Sequence, residues 1–414
     1  MRLEIVASVL SFAMSSAFWL LAALRMEPSS YGVLMQWQSL LMIGAAFFAW
    51  RTHDLVFHLQ REHGAGLREA YLVGVRLELM LACGGAVVAV LLLIQAPLLG
   101  VARPTAPLLL LAALGLLSNI TCLQGSPTAY LRARALHQYI AYIDLGVVSA
   151  WAVALAVLLA SPHLPPLEAL ALALGAASTR ALLLILVAWR NSRGADIADP
   201  HAARPAGWRS MARFLVAGQS THLLKNNLVS IETLLLGRLS GPDAVALFRV
   251  AKSFQSLTSV LLNVTYQRAY AALHHAEDHA QRRQVVGSMT RKSLLMWAGA
   301  LPVIFLAAFA FLHYRDHPAY AGLYRAVGLC ALAALPLALQ QSDFANLTLT
   351  RRLSRIVAAY GAGLALLLLG CVLFHNQMTT DLFIGLTVVA GFVRYAVMHA
   401  DSTGLPGGTS PERG

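Results

Sequence analysis

The stretch LMLACGGAVVAVLLLIQAPLLGV, residues 79–101, contains no charged residue and decides the class of fold. A helix needs about 20 predominantly apolar residues to cross the hydrocarbon core of a bilayer, and this stretch is long enough. Backbone groups in lipid must form their hydrogen bonds within the protein, so a helix is the expected structure. This part of the chain is therefore predicted to be a transmembrane helix.

Similar stretches recur along nearly the whole chain. Seven lack charges, four carry one to three charged residues, and one ends on Asp343; in order they are 5–24, 28–50, 79–101, 104–131, 145–167, 169–189, 213–237, 244–267, 294–312, 326–343, 356–374 and 382–400. Only 12% of the residues are charged, against roughly 25% in soluble domains. The sequence therefore predicts an all-α polytopic membrane protein with about 12 transmembrane helices in two pseudo-symmetric six-helix lobes.

The net charge of +12 is unevenly distributed along this pattern. With a cytoplasmic N-terminus, 19 basic residues fall on the cytoplasmic side and four on the outer side, namely Arg25, Arg103, Arg238 and Arg315. An excess of Lys and Arg in cytoplasmic loops is the usual topological signal. We therefore expect both termini in the cytoplasm, and we expect no nucleic-acid partner.

The longest hydrophilic segment divides the chain into two similar halves. The predicted parts are an N-terminal lobe at 1–190, a cytoplasmic linker at 191–212, a C-terminal lobe at 213–400 and a flexible cytoplasmic tail at 401–414. Residues 25–34 align weakly with 238–248, matching Pro28 to Pro242 and Gly32 to Ala246. An internal repeat of helical bundles is typical of secondary transporters, in which the substrate path lies between the repeats.

Two segments also resemble a known family. Residues 24–32, LRMEPSSYG, resemble the first outer loop of polysaccharide-type flippases of the multidrug/oligosaccharidyl-lipid/polysaccharide exporter superfamily. Residues 231–251, IETLLLGRLSGPDAVALFRVA, are similar to the seventh and eighth helices of that family. The chain departs from the pattern at Glu232, where the family usually has Asp, and at Phe248, where it usually has Tyr.

The resemblance implies a function, a location and partners. It implies a flippase that moves an undecaprenyl-pyrophosphate-linked oligosaccharide, the repeat unit of an O-antigen, capsule or exopolysaccharide, across the bacterial cytoplasmic (inner) membrane by alternating access. The expected partners are the lipid-linked oligosaccharide, membrane lipids and polysaccharide polymerase machinery. The resemblance does not identify the sugar.

Basic residues on two predicted helices suit such an anionic cargo. On helix eight, Arg249 and Lys252 share a face with Ser256, Ser259 and Asn263, at spacings of three and four residues. On helix seven, Lys225 and Glu232 share a face with His222. Polar faces on spanning helices face cavities or partners in preference to lipid. We predict a cationic cavity that binds substrate, formed by the four residues Lys225, Arg249, Lys252 and Arg25.

Other interpretations of these charges stay open. Glu232 comes level with Arg249 in a helical hairpin, so the two could form a structural ion pair; alternatively, Glu232 or Asp144 could couple transport to a cation gradient. Arg25 is either an interfacial anchor or a phosphate contact, and the anchor is preferred.

Several further charges have expected structural roles. Arg76 and Glu78 are expected to reach the inner interface, Asp144 to be a charge at a helix start, and Asp343 to lie at a hydrated helix end. Arg180, Arg325 and Arg394 have no visible partner in the sequence.

Enzymatic functions are disfavoured. No Walker loop is present, and the scattered acidic residues supply no aspartate cluster for Mg²⁺. The four cysteines have no metal-ligand spacing, so neither a metal nor another cofactor is predicted. The main alternative is a cation-coupled small-molecule or drug antiporter of the same superfamily, which would have an acidic cavity. A membrane enzyme of polysaccharide assembly is a third alternative.

Overall fold

The computed structural model describes residues 2–50, 52–63, 66–161, 164–193, 208–274, 279–350 and 352–403. Within these residues the chain forms thirteen α-helices, a few short 3₁₀ turns and no strand. The helices are α1 (Arg2–Arg25), α2 (Pro28–Phe48), α3 (Thr52–His63), α4 (Leu67–Ile94), α5 (Leu108–Ile120), α6 (Gly125–Ala133), α7 (His137–Ala160), α8 (Pro166–Ser192), α9 (Trp208–His274), α10 (His279–Tyr314), α11 (Leu323–Leu349), α12 (Leu353–Leu373) and α13 (Thr380–Thr403).

These helices have the lengths of membrane spans. In the described part of the chain, nine segments are long and apolar enough to cross a bilayer, and Val9–Arg25 of α1 is a shorter apolar helix. The α9 helix has 67 residues, or ~100 Å of helix, whereas the hydrocarbon core is about 30 Å thick. The nine spans and α1 account for ten of the about 12 predicted crossings. The prediction of an all-α polytopic membrane protein is confirmed.

The two segments of α9 meet at Gly241. Gly241 has φ 83° and ψ 177°, a conformation that favours glycine, and Pro242 follows it. Proline suits the first turn of a helix because its missing N–H needs no partner there. A Cβ added at Gly32 of α2 would overlap the Pro242 carbonyl group, so α2 packs directly against this junction.

The helices group into two compact units, Met1–Val250 and Ala251–Gly414. In the first unit, α1 packs on α7, α2 on α4, and α4 on α3, α5 and α6. In the second unit, α11 packs on α10 and α13, and α12 packs on α13. Residues 194–207 of the predicted linker and 404–414 of the predicted tail lie outside the described residues, so the predicted domain boundaries stay a prediction.

The fourth predicted span is broken between α5 and α6. Side chains around the break bond to nearby backbone carbonyl groups: Ser118 Oγ and Asn119 Nδ2 donate to Gly115 O at 2.8 and 2.9 Å, and Thr121 Oγ1 donates to Ser118 O. Such bonds compete with the regular helical pattern. Pro127 follows in the first turn of α6, where proline is tolerated. The break therefore places polar side chains within an otherwise apolar span.

Candidate functional site

The carboxyl group of Glu78 lies at the start of α6. Its Oε1 accepts hydrogen bonds from the Thr52 hydroxyl of α3 and from the Ser126 backbone N–H at 2.7 Å. The side chain is only 4% exposed. Because the N-terminus of a helix carries partial positive charge, α6 favours an acidic group at this position.

The other oxygen of Glu78 faces a small cavity. Glu78 Oε2 and Asn119 Oδ1 are both buried and have no hydrogen-bond partner among the described residues. The cavity has a volume of about 10 Å³, which is room for about one water molecule. We call it the Glu78 pocket; its lining comprises Phe48, Ala49, Trp50, Glu78, Ala82, Asn119, Cys122 and Leu123.

Glu78 has hydrogen bonds but no neutralising cation. In the part of the chain that the structure describes, the donors to its carboxyl group are Thr52 and Ser126 with the nearby Gly125 backbone, and no basic side chain forms an ion pair with it. The ionisable groups that interact with it electrostatically are Tyr71 and Cys122. An unneutralised carboxylate in such a place would cost several kcal/mol.

The expectation that Glu78 reaches the inner interface is wrong. The α4 helix begins at Leu67, well before residue 79, so Glu78 lies inside the helix on its packed face. Gly74, Glu78, Ala82 and Gly85 follow one another at spacings of four, four and three, which is the signal that sequence reasoning missed. Arg76, on another face of α4, is exposed.

Asp144 is also buried but is paired. It lies within α7 and is 2% exposed, so the expected charge at a helix start is in fact an interior side chain. Arg180 Nε of α8 lies 2.8 Å from Asp144 Oδ1. The same guanidinium donates to Gln124 Oε1 at the α5–α6 break. Arg180, which had no visible partner in the sequence, therefore neutralises Asp144 and ties α7 and α8 to the break.

Arg249 joins the second segment of α9 to α2. Its Nη2 donates to Gln38 Oε1 at 2.9 Å, and its Nε lies 3.3 Å from Met35 Sδ. Glu232, which is 2% exposed, and Tyr31 both interact with it electrostatically. The structure thus brings Arg249 and Glu232 together, an environment that fits the ion-pair alternative.

The other members of the predicted cationic cavity are less fully placed. Lys252 lies three residues after Arg249 on α9 and is half-buried, while Arg25 is exposed at the end of α1. The side chain of Lys225 lies outside the described residues. The cationic cavity therefore stays a prediction.

The C-terminal unit has its own buried charges. Asp343 is 1% exposed and its Oδ2 lies 3.1 Å from His399 Nδ1, so the expected hydrated helix end is wrong. Arg394 is 5% exposed, and its guanidinium lies 5.4 Å from the centre of the Tyr360 ring. Arg325 lies 3.5 Å from Asp381.

The fold is similar to that of several solved transporters, among them members of the MOP superfamily. The lipid II flippase MurJ in an inward closed conformation matches with a TM-score of 0.69 at 10% identity, over 98% of this chain and 88% of that chain. An inward-facing multidrug resistance MATE family transporter matches with a TM-score of 0.62 at 13% identity, over 95% and 94%. A MOP superfamily transporter from Pyrococcus furiosus, reported with a reversed polarity of its binding pocket, matches with a TM-score of 0.59 at 11% identity, over 97% and 95%.

Comparisons at the level of sequence give no match. No family model matches the chain. No curated protein matches it either. At 10–13% identity, the structural matches show the fold alone.

Proposed function

We propose that this protein is a flippase that translocates an undecaprenyl-pyrophosphate-linked oligosaccharide, such as an O-antigen, capsule or exopolysaccharide repeat unit, by alternating access. The observation that carries the proposal is the structural similarity to a lipid flippase along 98% of the chain. The local resemblance at residues 24–32 and 231–251 supports the polysaccharide branch. We further propose that the protein lies in the bacterial inner membrane with both termini in the cytoplasm and that the polysaccharide polymerase machinery is a partner.

The charge on α9 favours an anionic cargo. Lys225, Arg249 and Lys252 lie along this helix, and Glu232 is the acidic residue on the same polar faces. Basic residues in spanning helices commonly mark substrate pathways. Arg249 also bonds to Gln38 and interacts with Glu232, and we propose that Lys225, Arg249 and Lys252 together bind the pyrophosphate.

The second candidate is a cation-coupled small-molecule or drug antiporter. Two observations favour it: the MATE family match over 95% of the chain and the buried carboxyl group of Glu78, which has no basic partner among the described residues. Acidic groups within spanning helices commonly serve ion pathways. This candidate predicts export of organic cations and no effect on lipid-linked sugars.

Deletion of the gene in its host followed by extraction of lipid-linked oligosaccharides separates these candidates. The flippase proposal predicts that one repeat unit on its lipid carrier accumulates at the cytoplasmic leaflet. Lys225→Ala with Lys252→Ala should fail to restore export, since each lost charge contact costs about 2 kcal/mol, or roughly 30-fold in affinity. Lys252→Arg keeps the charge and should restore it.

The matched control is Lys292→Ala, which removes an exposed lysine of α10. It should restore export fully at the wild-type membrane protein level. Normal export by a stably folded Lys225→Ala, Lys252→Ala variant would refute the pyrophosphate site. Unchanged lipid-linked sugars after deletion, with lost resistance to organic cations, would favour the antiporter.

A further inference from the structure

The Glu78 pocket brings two hydrogen-bond acceptors to one small cavity. Asn119 Nδ2 donates to Gly115 O at 2.9 Å, which fixes the orientation of the amide and leaves Oδ1 as the atom without a partner. Glu78 Oε1 is engaged by Thr52 and Ser126, which leaves Oε2. Two acceptors cannot satisfy each other, so each needs a hydrogen atom from a donor, and the candidate donors are a proton on Glu78, a water and the Ser126 hydroxyl, which is also buried without a partner.

A proton on the Glu78 carboxyl group supplies such a hydrogen atom and fits in the space available. A protonated carboxyl group has one O–H donor, and Asn119 Oδ1 is an acceptor. The cavity has room for about one water molecule, which could bridge the two oxygens. Divalent cations such as Ca²⁺ and Mg²⁺ take six or more oxygen ligands, more than these two side chains offer.

We propose that Glu78 is a proton-binding site of the N-terminal unit, with the proton on Oε2 and hydrogen-bonded to Asn119 Oδ1 directly or through one water. On release, the Oε2–H bond breaks and the proton passes to the pocket water. The bonding electrons stay on the carboxylate.

The surroundings also accommodate the ionised form once water has access. Thr52, the Ser126 N–H and the start of α6 all act on the side of Oε1 and stabilise negative charge. The ionisable groups that interact with Glu78 are Tyr71 of α4 and Cys122 of the α5–α6 break. The α2 side of the pocket supplies Phe48, Ala49 and Trp50, none of which ionises.

Proton exchange at Glu78 is expected to depend on the α5–α6 break. Ser126, which donates to Glu78, lies two residues after Gln124, which accepts from Arg180. Gly74 and Gly85 allow α4 to lie close to this region, because an added Cβ would overlap Ser126 Oγ at Gly74 or Asn119 Oδ1 at Gly85. We therefore expect that separation of α4 from the break would give bulk water freer access to Oε2.

The test is infrared difference spectroscopy on the full chain in lipid nanodiscs during a pH titration. We expect the carbonyl band of a protonated carboxyl group at acidic pH and its loss in a single step as the pH rises. Labelling all glutamates with ¹³C should shift the band, which assigns it to Glu without any substitution. Glu78→Gln should remove it, while Asp144→Asn and Glu232→Gln should leave it.

Three results would overturn the proposal. They are the absence of a protonated glutamate band at every pH at which the protein is folded, a band that persists at alkaline pH, and a band that survives Glu78→Gln. Loss of the band on adding NaCl at constant pH would assign the pocket to Na⁺ and would also refute it. The measurement uses no cargo, so its outcome is independent of the flippase proposal.

Discussion

Asp144 and Glu78 are both buried acidic residues of the N-terminal unit, 2% and 4% exposed, yet their partners differ. Asp144 lies 2.8 Å from the Arg180 guanidinium. Glu78 accepts hydrogen bonds from Thr52 and Ser126 and has an oxygen facing a cavity. Asp144 thus has a cationic partner, whereas the donors to Glu78 among the described residues are neutral. Burial alone therefore does not show whether an acidic residue serves as a member of an ion pair or as a proton-binding group.

Both residues are connected to the same structural feature, the α5–α6 break. Gln124 accepts from Arg180 on the Asp144 side, and the Ser126 N–H donates to Glu78. Irregular backbone at membrane depth is tolerated where it is enclosed by protein or lines a cavity. The break thus has a fixed side, set by an ion pair, and a side open to a small cavity.

The largest expected effect concerns the fixed side. Arg180→Ala should lower the free energy of unfolding by roughly 3 kcal/mol, because it leaves Asp144 buried without its cation. Arg180→Gln combined with Asp144→Asn should recover most of the loss, since the neutral pair can still bond. Reversible unfolding in lipid–detergent micelles measures both values.

The matched substitution on the open side is Glu78→Gln. It keeps the acceptor for Thr52 and Ser126 and supplies an N–H to the pocket, so the free energy of unfolding should change by less than about 1 kcal/mol. Equal losses for Glu78→Gln and Asp144→Asn would remove the distinction between the two sites.

A smaller effect is expected from Gly85→Ala. The added Cβ would overlap Asn119 Oδ1 and displace the amide, at a cost of about 1–2 kcal/mol. The neighbouring Gly84→Ala is the control, since its Cβ would meet a ring carbon of Phe48 at 3.0 Å and should cost less. Thermal unfolding compares the two variants, and equal stabilities would argue against a tightly packed pocket.

Much of the fold was predictable from hydrophobic segments alone. Apolar runs of bilayer length identify helices because lipid leaves the backbone no other partner. The two segments of α9 were predicted as spans although both contain charged residues. The resemblance at residues 231–251 supported this prediction. The break after Ile120 was not predicted, because uncharged residues continue through it and the side-chain bonds at Ser118 and Asn119 that accompany it are visible only in the structure.

The charged sites were less predictable than the helices. The packed face of α4 that contains Gly74 and Glu78 begins before residue 79. A prediction based on uncharged runs therefore placed Glu78 at the interface. The pairing of Arg180 with Asp144 joins α7 and α8 at positions that no local spacing reveals. The proximity of Glu232 and Arg249 was anticipated because hairpin geometry relates residues on either side of Gly241.

The central claim, translocation of a lipid-linked oligosaccharide, is tested most directly in proteoliposomes. A membrane-impermeant enzyme that cleaves the exposed sugar measures how much of the lipid-linked pool reaches the outer leaflet. We predict that the wild-type protein makes nearly the whole pool accessible, while protein-free vesicles and the Lys225→Ala, Lys252→Ala variant leave the inner-leaflet fraction protected. A protected fraction equal to that of protein-free vesicles, with correctly folded wild-type protein in the membrane, would contradict the account.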